Sequence, residues 1–417
     1  MYYIHIDADS FFTSAESVFR PEWRGLGLAV LSNNDGTVIA CNAKAKASGV
    51  RKFTPYFQIS KLCKQNGVVV CSSNYSLYLS ISKQMMETLK TFGDSFFQYS
   101  IDECFLTVEE IGDLRGYASL IRKTVMRNNK LPVSVGIAKT LTLAKLATHF
   151  AKISPKNNGV FVIENPKQIR SELSTIPVID IWGCGGKTTE KLFKLGIKNA
   201  LQLTEMSLKL AQNLFSVELS RTILELNGHK AKHWDQSRAD KKQIFSTRSL
   251  GSRIVSKDYL MQALCTHAAI AARKARKQSL NWTQMIVFAA NSPFDPLPVC
   301  YKQDYIFSAP TNSTADLCAV ITKLIDRLFY YGVNYYRVGV GLSGLSNEKF
   351  LQHDLFEGVN EKKRQAMVAF DNINRRYGNG ALFFASEGVD KSSWEMKRER
   401  LTPNFLNSWD DIPIVYC

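Results

Sequence analysis

Long apolar runs are missing from this 417-residue chain, so it offers no stretch able to cross a bilayer as a helix. The first residues, "MYYIHIDADS", contain neither a basic leader nor a cleavable apolar segment, and the expectation is a cytoplasmic protein with no membrane partner. No C-x-x-C pair occurs. Nine cysteines lie scattered, an odd number that fits reduced thiols better than disulfides or a zinc site. Also absent are a Ser/His/Asp or Cys/His arrangement that would supply a covalent nucleophile, any fixed-period repeat and any low-complexity segment. Acidic residues are in short supply, 37 against 53 basic ones, and the net charge of +16 suggests a polyanionic partner.

What is present is a long, well-patterned chain with 45% hydrophobic and 11% aromatic residues, enough for several cores. Strand-like and helix-like pieces alternate over residues 1–20 and 75–165, which reads as an α/β domain. Residues 21–74 form a small insertion in it. From Ile176 the pattern turns helical, placing an all-α module over 166–231. The polar stretch "HKAKHWDQSRADKKQ" reads as a linker, 232–243, before an α+β domain over 244–350. Residues 351–417 are polar and interrupted and form a C-terminal region of their own.

Two acidic sites stand out. In "HIDADS", Ile4 and Ile6 alternate with His5 and Asp7, so Asp7 lies where a strand opens into a loop. In "YSIDECF", Asp102 and Glu103 sit among strand formers at what reads as a hairpin turn. Either pair alone is more often a solvated turn. On adjacent strands, however, Asp7, Asp102 and Glu103 would bring together hard oxygen ligands of the kind Mg²⁺ takes. Two such ions support phosphoryl or nucleotidyl transfer without a protein nucleophile. Lys46 in "NAKAKASGV" and Lys152 in "HFAKISPKNNG" are candidate triphosphate contacts, and Phe11 and Phe12 are core residues or the floor under a nucleotide sugar. Gly183, Gly185 and Gly186, followed by Lys187, make a tight turn between helical stretches. It reads as a helix-hairpin-helix whose backbone N–H groups can bind DNA phosphate.

"HIDADSFF", "NAKAKASGV", "YSIDECF", "VSVGIAKTLTLAKLATHFAK", the glycine turn and "STRSLGSRIV" stand in the order found in Y-family translesion DNA polymerases. The chain resembles that family throughout, and "ALFFASEGVDKSSWEMKRERLTPNF" resembles the C-terminal region of its UmuC-like branch, the catalytic subunits of bacterial DNA polymerase V. The resemblance implies a right-hand architecture. Its parts would be a palm (1–20 and 75–165), small fingers (21–74), a helical thumb (166–231) and a little finger (244–350), with the C-terminal region appended. It also implies error-prone, nucleoid-associated synthesis opposite damaged bases in the SOS response, with two Mg²⁺ ions, primer-template DNA and dNTPs. Asp7, Asp102 and Glu103 match the catalytic metal carboxylates, and the Ala8 carbonyl matches a further metal ligand. Phe12 matches the aromatic gate that excludes a ribose 2′-OH, Lys46 and Lys152 match triphosphate contacts, and Arg248 lies in the motif opening the little finger. Many members carry Tyr at the position of Phe12, Arg at Lys46 and Tyr at Ala43. "QHDLF" resembles a sliding-clamp-binding peptide, with Gln352 as polar anchor and Leu355 and Phe356 as plugs. A UmuD′-like dimer and a RecA filament are further implied partners. The competing reading is a catalytically inactive DNA-binding scaffold that recruits the clamp and repair partners; a nucleotide cyclase on a similar palm is more distant.

Overall fold

The structure is a computed structural model, and it describes residues 1–109, 111–234, 241–348, 361–378, 380–389 and 394–412. The chain divides into two compact units, residues 1–237 with 399–417, and residues 238–398.

The first unit opens with β1 (Tyr2–Ala8) and α1 (Phe11–Glu16). A small module follows: β2 (Leu28–Leu31), β3 (Val38–Cys41), α2 (Ala43–Ala47), α3 (Tyr56–Gln65) and β4 (Val69–Ser72). Its three strands form a sheet in the order β3-β2-β4 over a core of its own that includes Leu31, Val38 and Val50. Then come α4 (Tyr75–Leu89), β5 (Ser95–Gln98), β6 (Glu103–Val108), α5 (Leu114–Asn129), β7 (Val133–Ala138), α6 (Leu141–Ile153) and β8 (Val160–Ile163). These build a five-stranded sheet, β5-β6-β1-β7-β8, with β1 at its centre and antiparallel to both neighbours. Ile4 and Ile6 face the core on one side of β1, while His5 is buried on the other, as a strand covered on both faces requires. Asn74, Asp113 and Thr140 cap α4, α5 and α6, each accepting a backbone N–H from the first turn.

Gly136 in β7 has a particular task. A Cβ there would lie 2.2 Å from the Thr148 amide nitrogen and 2.4 Å from the Ala144 carbonyl oxygen, so only glycine lets α6 rest directly on the sheet.

The helical part holds α7 (Arg170–Thr175), α8 (Gly186–Lys194), α9 (Ala200–Thr204), α10 (Leu208–Leu214) and α11 (Val217–Leu226). Buried Glu225 of α11 reaches the start of α6, accepting from the Thr142 backbone N–H at 2.8 Å and from its hydroxyl at 2.6 Å. A carboxylate at a helix N-terminus suits both the free N–H groups and the helix dipole.

Two expectations are corrected. The stretch before the glycine turn is a 3₁₀ turn, Val178–Asp180, entered through Pro177, rather than a full helix. The expected linker does not begin at residue 232. Trp234 stacks on Phe97 at 5.8 Å and meets the edge of Tyr3 at 5.4 Å, because one large ring in a polar stretch buries more apolar area than its neighbours can oppose.

The second unit contains β9 (Gln243–Ile254), α12 (Lys257–Arg276), β10 (Leu280–Ala290), β11 (Cys300–Thr311), α13 (Thr314–Leu324), β12 (Tyr335–Ser343), β13 (Ser346–Asn347) and α14 (Glu361–Tyr377). Its sheet runs β11-β10-β12-β9, with α12 and α13 sharing one core with it. The C-terminal region is tied in by chemistry its polar composition hid. Arg276 of α12 forms a two-pronged ion pair with Asp371 of α14, and the Gly251 N–H donates to the carbonyl of buried Trp394.

His267 of α12 is buried and shares a 2.9 Å hydrogen bond with Ser246. Burial, and then the charges of Arg248 and Lys274, push its pKa down to about 4. The folded unit therefore holds a neutral ring that the unfolded chain protonates near pH 6.5. Its stabilising contribution is complete above that pH and is lost as the pH falls toward 4. Urea titrations at pH 7 and pH 5 should show roughly 2 kcal/mol of loss from this residue, and the loss should disappear in His267→Asn. An unchanged acid slope in the variant would exclude His267 as its source.

Candidate active site

Strand register puts Asp7, the last residue but one of β1, opposite Glu103, the first of β6. The β5–β6 hairpin turn holds Asp102 beside them, and the Ala8 N–H donates to the Asp102 carbonyl at 2.9 Å. Ser100 organises this turn. Its hydroxyl donates to Asp102 Oδ1 at 2.6 Å and accepts the N–H groups of Asp102 and Glu103.

Helix α6 supplies the opposing charge. Lys145 and Lys152, two turns apart, project from one face. Lys152 Nζ lies 2.5 Å from Asp7 Oδ1 and 3.7 Å from Asp9, while Lys145 Nζ lies 2.8 Å from Glu103 Oε2. The same Glu103 oxygen is 3.1 Å from His5 Nε2, and His5 Nδ1 is 2.9 Å from the Thr148 hydroxyl. Burial pushes His5 down to about 4, so the ring is neutral, and the carboxylate at Nε2 places its proton there. The three carboxylates are not equivalent. Burial pushes Asp7 up to about 6, opposed by Lys152 and reinforced by Asp102 and Glu103. Burial also works to raise Glu103, but the His5 and Lys145 hydrogen bonds and the Lys145 charge outweigh it and bring it to about 2.

Asp7, Asp102 and Lys152 border a cleft of about 670 Å³ that brings them together with Ala8, Phe11, Phe12 and Lys46 from the residues expected at the site. Phe12 stacks on Tyr78 at 4.7 Å and meets Tyr75 edge-on at 5.8 Å, so its ring is held by aromatic neighbours. Phe11 is buried core with its ring against Phe12. Lys46 is exposed near the end of α2, and Ala43 at the start of that helix presents no ring to the cleft.

Glu103 is absent from this lining; it belongs to the His5–Lys145 side. Among the described residues, no three His, Cys, Asp or Glu side chains converge as a ready metal cage. The donor set nonetheless fits a divalent ion in kind. The oxygens are hard, Asp7 and Asp102 share the cleft, and Lys152 at Asp7 is the resident cation there.

Sequence reasoning missed His5 and Lys145, which position Glu103, and Lys52 and Arg122, which also line the cleft. The seven-residue spacing of Lys145 and Lys152 was a usable signal for the first pair of charges.

Elsewhere the expected residues are dispersed. Gly183 takes a left-handed φ of +94°, and a side chain at Gly185 or Gly186 would meet nothing within 4 Å, so the start of α8 with Lys187 is open to a phosphate. Arg248 lies in β9 between the buried Ser246 and Leu250, and its charge bears on His267. Gln352, Leu355 and Phe356 lie outside the described residues. No described helix is long and apolar enough to cross a membrane.

Residues 6–149 match the impB/mucB/samB family, residues 241–355 match the C-terminal domain of that family, and residues 364–415 match a domain of unknown function, DUF4113. Protein UmuC of Salmonella typhimurium is 37% identical over 414 residues, covering 97% of this chain and 98% of the relative. A DNA polymerase IV of Treponema denticola is 32% identical over 217 residues, 51% of this chain and 53% of that protein. The solved Y-family DNA polymerase chimera Dbh-Dpo4(243-245)-Dbh is similar in fold, with a TM-score of 0.66 at 20% identity over 83% of this chain and 100% of that one.

Proposed function

Because the chain belongs to the impB/mucB/samB family, as a UmuC-like member of the Y-family polymerases, we propose that it is an error-prone translesion DNA polymerase of the SOS response. The observation that carries this is the cleft in which Asp7 and Asp102 face Phe12, Lys46 and Lys152. In this reading residues 1–20 and 75–165 are the palm, 21–74 the fingers, 166–231 the thumb and 244–350 the little finger.

Asp7, Asp102, Glu103 and the Ala8 carbonyl are the proposed holders of two Mg²⁺ ions. Bound there, the ions supply activation of a primer 3′-hydroxyl and charge neutralisation on the departing pyrophosphate. The chain's own residues do the rest. Lys152 and Lys46 offer ammonium charge to a dNTP triphosphate as point charges, where a guanidinium would have made a fork. The Phe12 ring, fixed by Tyr78 and Tyr75, fills the space a ribose 2′-OH would need. His5 and Lys145 hold Glu103 ionised and in place from behind.

Primer-template DNA is bound through its phosphates by the α8 turn with Gly183, Gly185, Gly186 and Lys187, and by Arg248. A sliding clamp, a UmuD′-like dimer and a RecA filament complete the proposed assembly, consistent with a nucleoid-associated protein. The test is extension of a labelled primer on templates with and without an abasic site, with Mg²⁺ and with those partners added. Mg²⁺-dependent extension across the lesion is expected. DNA binding without extension in every mixture would replace this reading with the scaffold.

A further inference from the structure

Residues 399–407 belong to the first unit and lie across the two helices that hold the aromatic gate. They are fastened on both sides. On the finger side, the Ser72 N–H at the end of edge strand β4 donates to the Arg400 carbonyl at 2.9 Å, and the Arg400 N–H donates to the Ser72 hydroxyl at 3.0 Å. The Glu399 N–H donates to Asp35 at 3.0 Å, and the Arg400 guanidinium sits 5.0 Å from the Tyr56 ring. On the palm side, Phe405 stacks on Phe19 at 5.1 Å, just beyond α1, and Asn407 exchanges hydrogen bonds with Ser80 of α4.

Between these points lies the contact that matters most. Asn74 is buried and is the N-cap of α4, with its side-chain oxygen accepting the Leu77 N–H. Its amide nitrogen donates to the Thr402 carbonyl at 3.0 Å and reaches the Thr402 hydroxyl at 3.3 Å. The first turn of α4 carries Tyr75 and Tyr78, which hold Phe12. Tyr78 in turn donates to buried Glu16 at 2.5 Å, at the end of the helix that begins with Phe11 and Phe12. The Thr402 hydroxyl also bears on Glu16, helping Tyr78 and Arg20 to oppose the burial that raises that carboxyl.

We propose that residues 399–407 are a strap that positions the Phe12 gate, making the end of the chain a determinant of sugar selectivity. The inference rests on the polymerase reading and assigns a task to part of a region that matches a domain of unknown function. The strap's underside is mixed: Leu406 packs against the palm core and Phe405 against Phe19, while Arg20 Nε, Asp35 Oδ1 and Ser73 Oγ are buried without hydrogen-bond partners among the described residues.

The test uses the full chain with Asn74→Asp, Phe405→Ala and Phe12→Ala, alone and combined, in single-nucleotide insertion of a dNTP and its ribonucleotide. Asn74→Asp keeps the oxygen that caps α4 and turns the amide donor to the Thr402 and Pro403 carbonyls into a carboxylate oxygen that they repel. Thermal melts confirm that each variant is folded. Each strap variant is expected to lower the ratio of kcat/KM for deoxy over ribo substrate by about 5- to 20-fold, and to add less than about twofold on a Phe12→Ala background. Equal losses for both sugars, with the ratio unchanged, would show a merely structural strap and overturn the inference while the polymerase reading stands. If Phe12→Ala itself leaves the ratio unchanged, the gate assignment fails and the inference fails with it.

Discussion

Replacing Asp102 by alanine is expected to reduce primer extension at least about 10³-fold, roughly 4 kcal/mol of barrier, while DNA binding stays within about twofold. The separation is expected because of how the hairpin turn is built. Ser100 keeps its bonds to the backbone N–H groups of Asp102 and Glu103 when the Asp102 carboxylate is gone, and the Asp102 carbonyl still accepts from Ala8. What is lost is charge at the cleft, at a residue that is not part of the buried core. Gel-shift titration and extension at several Mg²⁺ concentrations check both halves. Normal extension by the variant would remove Asp102 from the catalytic set.

Phe12→Ala carries the second large effect, expected to raise ribonucleotide insertion relative to deoxynucleotide insertion by roughly 10²-fold, about 3 kcal/mol of discrimination. A lone ring at the edge of a cleft would swing aside for an extra hydroxyl. Phe12 is stacked face to face on Tyr78, with Phe11 and Tyr75 against its other edges, so yielding to a ribose would break aromatic contacts. Tyr lacks nothing that Phe has here for exclusion by shape, so Phe12→Tyr is the control expected to leave the ratio near that of the wild type. Competition assays with matched deoxy and ribo substrates read the ratio directly.

Much of this site was legible in the sequence because strands have a period of two. The alternation in "YYIHIDA" places Ile4 and Ile6 on one face, and the turn residues before "ECFLTV" set Glu103 at a strand start, where register brings it opposite Asp7. The partners of these acids were not legible in the same way. His5 meets Thr148, 143 positions away, and Glu103 meets Lys145 through the way α6 crosses the sheet, which no local pattern encodes. The 3₁₀ turn before the glycine turn shows a different limit: Val178, Ile179 and Asp180 continue a helix-like pattern, yet after Pro177 the segment is too short to be a helix. Asn74 and Thr402, 328 positions apart, are the extreme case. Both look like ordinary polar loop residues until the fold joins them.

Gly136 gives the electrostatics of the site a mechanical dimension. Both ammonium groups that face the acids ride on α6, and α6 sits as low as it does because one position beneath it has no side chain. The spacing between cations and carboxylates is thus set by the thickness of a sheet–helix interface, like the gap of a capacitor whose plates are a strand edge and a helix face. A single methyl group under the helix would widen that gap without touching a charged residue, and the site would lose its electrostatic setting while every chemical group it needs remained in place.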